Sequence, residues 1–379
     1  MSQKPSIPQG TRDFGPEVML RRERIFDTLR RCFRKRGFLP LETPSMEKLS
    51  VLTGKYGEEG DQLIFKILNN GDFLKDAKDL HDSQKLAFQI SEKALRYDLT
   101  VPFARFVVMH QNELTFPFKR YQIQPVWRGD RPGKGRYREF FQCDADVVGS
   151  DSLLYEAEFI NLFDEALTEL GLPGFSILIN NRKILSGYAE LAGTPEKTTD
   201  ICTAIDKLDK IGQEGVIKEL TERGISAENA AMLLELIAFS PDDATLSQDQ
   251  INQARLAYLK TRFAPGSTGY QGVEEMEEIF ALSQHFPSYK GTLTFDLSLA
   301  RGLNYYTGAI FEVKAHGVAI GSICGGGRYA DLTGVFGLKG LSGVGISFGA
   351  DRIYDVMEAL GLFGDLSTAP VQVMIVNFG

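Results

Sequence analysis

Three arginines, Arg128, Arg301 and Arg352, stand in segments otherwise rich in glycine and apolar residues. A guanidinium is a planar fork of N–H donors that matches the paired oxygens of a phosphate or a carboxylate. One such arginine reads as a surface ion pair. Three in similar settings point to an anionic substrate. Other chemistries lack their residues. The four cysteines (Cys32, Cys143, Cys202, Cys324) lie far apart with no C-x-x-C spacing, so neither a zinc site nor a disulfide framework is suggested and a reducing cytoplasm is expected. The four histidines are scattered, and no H-E-x-x-H occurs. Gly54-Lys55 is followed by Tyr56, so there is no P-loop. A strand-linked G-x-G-x-x-G is also missing.

Charge is uneven along these 379 residues. The net charge is −8, yet residues 21–36 carry +6 and residues 118–138 carry +6, leaving −20 for the remainder. The first basic segment has Ile25, Phe26, Leu29 and Phe33 at helical spacing, so its arginines are expected on a solvated face. The second interleaves its charges with aromatics and glycines, which suits a polyanion better. With 43% hydrophobic and 24% charged residues the chain can bury a sizeable core. No window approaches 18 apolar residues, and the opening Met1-Ser2-Gln3-Lys4-Pro5 lacks the apolar run of a signal peptide, so no membrane association is expected.

These residues need elements to hold them. The pattern predicts a helix over 16–36 stopped by Gly37, a proline-bearing extended stretch over 38–44 and a strand over 62–67. A surface loop over 69–84 and an apolar helix over 102–110 follow. Two strands, 118–126 and 137–148, flank the loop Arg128-Gly129-Asp130-Arg131-Pro132-Gly133-Lys134-Gly135-Arg136, which reads as a hairpin with a long basic turn. Ser150-Asp151 is expected to cap a helix reaching about Leu170, followed by a strand over 175–179. From 182 to 289 the pattern is almost wholly helical. Strands are expected at 293–297, 309–313 and 318–324, then a glycine-opened helix over 325–333, a strand over 344–349 and a helix over 350–360. A terminal strand over 371–376 cannot form a domain alone and reads as the start of a further one.

Residues 118–140 resemble motif 2 of class II aminoacyl-tRNA synthetases: Phe118-Lys119-Arg120-Tyr121-Gln122, Val126-Trp127-Arg128-Gly129-Asp130 and Gly135-Arg136-Tyr137-Arg138-Glu139-Phe140. Residues 341–352 (LSGVGISFGADR) resemble motif 3, and 37–47 around Pro44 resemble motif 1. Two strings narrow this further. Arg301-Gly302-Leu303-Asn304-Tyr305-Tyr306-Thr307-Gly308 and Gly326-Gly327-Arg328-Tyr329 are similar to the histidine motifs of histidyl-tRNA synthetases. Residues 95–105 (LRYDLTVPFAR) and 204–210 (AIDKLDK) resemble the eukaryote-like branch.

The resemblance implies an α+β fold: a mainly antiparallel sheet flanked by helices, with an inserted all-helical domain. It divides the chain into catalytic core 1–181, helical insertion 182–289, core 290–363, and 364–379 as linker and first strand of an anticodon-binding domain. It implies a ligase that joins histidine to ATP as an adenylate, releases pyrophosphate, and passes histidine to the 3′-terminal adenosine of tRNA(His). Arg128, Arg301 and Arg352 would be catalytic. Arg128, Asp130, Arg136, Tyr137, Phe140 and Arg352 would bind ATP, with Mg²⁺ held by its phosphates and no dedicated protein metal site. Asp98, Thr100, Arg128, Gln142, Asp146, Arg301, Tyr305, Tyr306 and Tyr329 would hold histidine; read by itself, Tyr305 is a core tyrosine. Arg131 and Lys134 would meet the tRNA acceptor end. A homodimer would form through the motif 1 region. Asn304 departs from the family's usual Asp and removes a charge near Arg301. Two rivals share the core: the regulatory subunit of ATP phosphoribosyltransferase and a kinase-linked module that senses uncharged tRNA. The intact arginine set argues against both.

Overall fold

The computed structural model describes residues 4–54, 57–75, 77–78, 80–288, 290–300, 306–364 and 373–378. Arg301, Asn304, Tyr305 and the first residues of the expected terminal strand, 371–372, lie outside the described residues. Eleven described strands occur in chain order: β1 (Leu39–Pro40), β2 (Met46–Lys48), β3 (Lys66–Ile67), β4 (Lys93–Leu95), β5 (Phe118–Trp127), β6 (Glu139–Val148), β7 (Phe175–Asn181), β8 (Gly291–Phe295), β9 (Ala309–Ala315), β10 (Cys324–Tyr329) and β11 (Gly343–Gly349). Eight build one sheet in the order β1-β5-β6-β11-β10-β9-β7-β8, while β2, β4 and β3 form a small second sheet. The large sheet is antiparallel except at its two ends, where β1 runs parallel to β5 and β8 parallel to β7. The fold is therefore mixed α+β with helices flanking a large sheet.

One face of that sheet is closed by the amphipathic helices Pro16–Lys35 and Leu154–Glu169, whose Ile25, Leu29, Phe33, Phe159 and Phe163 are fully buried. Gly37 follows the first helix at φ +75°, a backbone conformation that favours glycine, which explains why the helix stops there. Six α-helices lie within 182–289: Arg182–Leu191, Thr198–Ile205, Leu208–Glu222, Ala227–Ile237, Gln248–Arg262 and Thr268–Ser283. The last packs back against Leu154–Glu169, and Asn252 bonds the backbone of β8 at Leu293 and Phe295.

Several expectations are corrected. Residues 325–333 are mostly strand β10, because Gly325, Gly326 and Gly327 let it lie between β9 and β11 without side-chain conflict. Residues 318–323 are not strand. Only Lys66 and Ile67 of the expected 62–67 strand join a ladder, since β4 offers no longer partner; Gly57–Gln62 is helical. A helix, Ser83–Ile90, capped by the Asp82 carboxylate, begins inside the expected 69–84 loop. The helix expected from Ser150-Asp151 begins at Leu154, whose N–H donates to Ser152 Oγ. Residues 373–378 are exposed and carry no strand. Arg22, expected on a solvated face, is buried.

Candidate active site

The site grows from the pleat of β5 and β6. Residues opposite one another in an antiparallel pair share a face. The register sets Arg120 against Asp146, Gln122 against Asp144 and Gln124 against Gln142. Next to them β11 supplies Gly345 beside Asp146, Ser347 beside Asp144 and Gly349 beside Gln142. Six polar side chains of one hairpin thus share a sheet face on which the neighbouring strand β11 presents only glycines and Ser347. The glycines are required there. A Cβ on Gly345 would lie 2.0 Å from Asp146 Oδ1, and one on Gly343 would lie 2.4 Å from the Tyr329 ring. These absences leave room for Asp146 and Tyr329 to meet above β11.

They meet in a small polar pocket of about 50 Å³. Asp98, Thr100, Gln142, Asp146, Tyr306 and Tyr329 all line it, together with Arg128, so the structure brings the described members of the expected histidine set together. Tyr329 donates to Asp146 Oδ1 at 2.9 Å, and Arg120 pairs with Asp146 Oδ2 at 2.8 Å. Arg120 is fully buried, with its guanidinium 4.3 Å from the Phe103 ring centroid. Asp98 Oδ1 accepts from Val101 N at the start of the helix Thr100–Met109. Burial raises the Asp146 carboxyl above the usual range, opposed by Arg120 and the Tyr329 hydroxyl. Burial likewise lifts Asp144 to about 7, with Asp146 adding to the rise and Arg120 opposing it.

The pocket opens into a cavity of about 430 Å³. Arg128, Asp130, Arg136, Tyr137, Phe140 and Arg352 line it, the whole of the expected ATP set. Arg128, Gln142, Tyr306, Gly325, Gly326 and Ser347 border both spaces. Arg128 donates from Nε to the Tyr97 carbonyl at 3.0 Å and lies 4.3 Å from the Tyr97 ring and 5.3 Å from Phe140. Arg352 is fixed by two carbonyls, Nε to Gly135 at 2.8 Å and Nη1 to Ser322 at 2.6 Å. Burial, then the charges of Arg136 and Arg128, lower its pKa. Converging cations in a half-enclosed space favour an anion. Tyr137 turns its hydroxyl to Asp355 at 2.8 Å, and burial followed by that contact pushes its pKa up to about 12. Arg131 and Lys134 are exposed on the hairpin loop.

Several residues of the site were not singled out from sequence. Asp144 is 2% exposed. Its signal was the alternation 142, 144, 146, two members of which were already chosen. Arg120 is a second. Asp351, beside Arg352, is a third: it accepts Phe141 N at 2.8 Å, pairs with Arg22 at 2.6 Å and also pairs with Arg12. Arg12 lies 3.2 Å from the Tyr137 ring centroid, and Arg138 N donates to the Gly10 carbonyl at 2.9 Å. The N-terminal segment therefore straps the hairpin loop to the helix Ala350–Ala359. No short-range pattern reveals contacts that join residues 12 and 351.

Among the described residues, no three His, Cys, Asp or Glu side chains are grouped to hold a metal ion. No described helix is long and apolar enough to cross a membrane.

Comparison with known proteins places the chain in a family. A family model described as histidyl-tRNA synthetase matches residues 10–353. A histidine–tRNA ligase of Christiangramia forsetii is 57% identical, covering 100% of this chain and 82% of its own length. The crystal structure of histidyl-tRNA synthetase from Nostoc sp. PCC 7120 superposes with a TM-score of 0.81 at 33% identity, covering 99% of this chain and 80% of that one. A Bacillus halodurans structure described as an ATP phosphoribosyltransferase regulatory subunit/histidyl-tRNA synthetase has a TM-score of 0.74 at 21% identity, covering 93% and 84%, and speaks to the fold alone. The relatives described are bacterial and lend the eukaryote-like placement no support. The chain belongs to the histidyl-tRNA synthetase family.

Proposed function

We propose that this chain is a histidine–tRNA ligase. It condenses the histidine carboxylate with the ATP α-phosphate, releases pyrophosphate, and transfers the histidyl group to the 3′-terminal adenosine of tRNA(His). One observation carries the reading: a small acidic pocket opens into an arginine-lined cavity, and Arg128 borders both. A residue at that junction can touch the carboxylate and the α-phosphate together. That placement lowers the barrier by orienting the reactants and by neutralising charge that builds on phosphorus.

In this reading Asp98, Thr100, Gln142 and Asp146 hold the α-ammonium and nearby polar atoms, and Tyr306 and Tyr329 contact the imidazole. Arg352, with Nε and Nη1 committed to carbonyls, keeps its remaining N–H groups for the γ-phosphate. Phe140 stacks on adenine, Asp130 meets the adenine amino group, and Arg136 and Tyr137 close the loop end. Arg301 and Tyr305 belong to the set by resemblance. Mg²⁺ would be held mainly by the ATP phosphates, whose charge it would neutralise; Glu312, an acid facing the cavity, suits such a phosphate-borne ion. Arg131 and Lys134, exposed and basic, meet the acceptor end of tRNA. Residues 1–181 and 290–363 act as the catalytic core and 182–289 as the insertion. The four buried, unpaired cysteines suit a reducing cytoplasm. A homodimer through the motif 1 region is supported by β1, which ends the sheet with Leu39 and Met46 more than half exposed nearby.

Amino-acid-dependent ATP–pyrophosphate exchange tests the reading. Exchange with histidine alone among twenty amino acids, lost in Arg128→Ala, is the expected result. Histidine binding without exchange would replace it with the regulatory-subunit reading, whose core has the same fold.

A further inference from the structure

The small pocket holds more negative charge than a histidine ammonium needs. Asp98, Asp144 and Asp146 all line it, and all three are buried. Arg120 is the one described cation buried among them, and Arg128 stands at the mouth. Asp146 meets Arg120 and Tyr329, and one oxygen of Asp98 meets the helix start. Asp144 sits between Gln142 and Asp146 on the same face of β6. It accepts a hydrogen bond from Ser347, yet its Oδ1 is buried and has no hydrogen-bond partner among the described residues. Unmet acceptor capacity on a buried carboxylate costs free energy in the empty pocket.

We infer that Asp144 is a further specificity-determining residue, whose open carboxylate oxygen receives an N–H of the bound histidine. The inference rests on the histidine–tRNA ligase reading and deepens it. An amino acid lacking a second polar N–H would leave that oxygen unmet, and a site built to bond a polar group rejects analogues lacking it strongly. The same residue couples binding to pH. The groups facing Asp144 are Asp98 ahead of the helix Thr100–Met109, Arg120 on β5, Asp146 on β6, Tyr329 on β10 and Ser347 on β11, with Arg128 and Tyr306 at the rim. In the empty pocket Asp144 is half protonated near pH 7. A cationic ammonium and a donated N–H both favour the ionised form. Histidine therefore binds with loss of that proton, and its affinity rises with pH up to about 7. The change is limited to tenfold per pH unit by one proton.

The experiment is pyrophosphate exchange from pH 5.5 to 8.5 for the wild type and Asp144→Asn, with KM measured separately for histidine and ATP. Taking the ratio of variant to wild type cancels the titration of free histidine. The histidine KM ratio is expected to be roughly tenfold at pH 8, from one lost charge-assisted hydrogen bond, and to fall toward one at pH 5.5. The ATP KM is expected to stay within twofold. A ratio that stays at one across the range overturns the inference while histidine-specific exchange by the wild type still upholds the ligase reading. Absence of exchange by the wild type overturns the ligase reading itself. If Asp144→Asn does not fold, proton release on mixing the wild type with histidine at pH 6.5 decides: about half a proton or more from the protein supports the inference, and none overturns it.

Discussion

Asp351 joins three parts of the chain at one carboxylate, so Asp351→Ala should be costly twice over. Its Oδ1 meets Arg22 at 2.6 Å with both side chains 3% exposed. Removing one partner of a buried pair leaves the other charge stranded, which costs about 3–5 kcal/mol. The Phe141 N–H, a partly buried donor, loses its acceptor as well, at about 1 kcal/mol. Arg12 is 25% exposed and adds about 1 kcal/mol or less. These contributions share one group and do not sum. A loss of about 3–5 kcal/mol is the reasoned total, a large part of the roughly 5–15 kcal/mol that holds a domain folded. The sole tryptophan, Trp127 at the end of β5, reports this region by fluorescence in urea. Arg22→Ala should cost less, because Asp351 keeps Arg12 and Phe141 N–H, and Arg12→Ala least. Where Asp351→Ala is folded, the loosened helix start should misplace Arg352, raising the ATP KM several-fold with little change for histidine. A loss under about 1 kcal/mol, or the reverse ranking of the three variants, would refute the reasoning.

Arg128→Lys should lower the rate of exchange by roughly a hundredfold, since an ammonium cannot reproduce a bidentate fork; full activity in a single-turnover assay would contradict the junction role. Gly345→Ala should raise the histidine KM at least tenfold, because its Cβ would fall 2.0 Å from Asp146 Oδ1, and histidine titration calorimetry checks it. Asp144→Asn should be more stable than the wild type at pH 8 in urea titrations. Its folded pKa is raised to about 7, so the stability it contributes is complete below the ordinary carboxylate range and is lost as pH rises through 7. The advantage of the amide should therefore vanish at pH 4. Leu39→Asp at the outer edge of β1 should shift the sedimentation of the protein toward monomer, and an unchanged value would count against a dimer through that edge.

Alternation made the hairpin legible: Arg128 stood out by its setting and the two strands came out within two residues, whereas Gln142 and Asp146 entered through the family resemblance. Asp144 was not singled out because an acid between two apolar neighbours, Cys143 and Ala145, looks like a solvent-facing residue when the opposite face is assumed to be the core. Here both faces are covered. The glycine-rich run 325–327 was misread as a helix opening because glycine marks turns far more often than central strands. Only the neighbouring strands, distant in sequence, explain its use. Arg12, Arg22 and Asp351 were invisible for the same reason: each is ordinary in its local window and special only through a partner more than three hundred residues away.

The order of the sheet also has a consequence for biosynthesis. β6 pairs with β5 at once, but its other edge waits for β11, which begins roughly two hundred residues later. At about 5–20 residues per second, a ribosome takes on the order of 10–40 s to deliver it. During that interval the nascent chain carries an open strand edge that bears the Asp144 and Asp146 carboxylates, the latter already beside Arg120. Charged side chains on an open edge discourage pairing with another chain, so Asp144 and Asp146 suit a strand whose edge stays open that long.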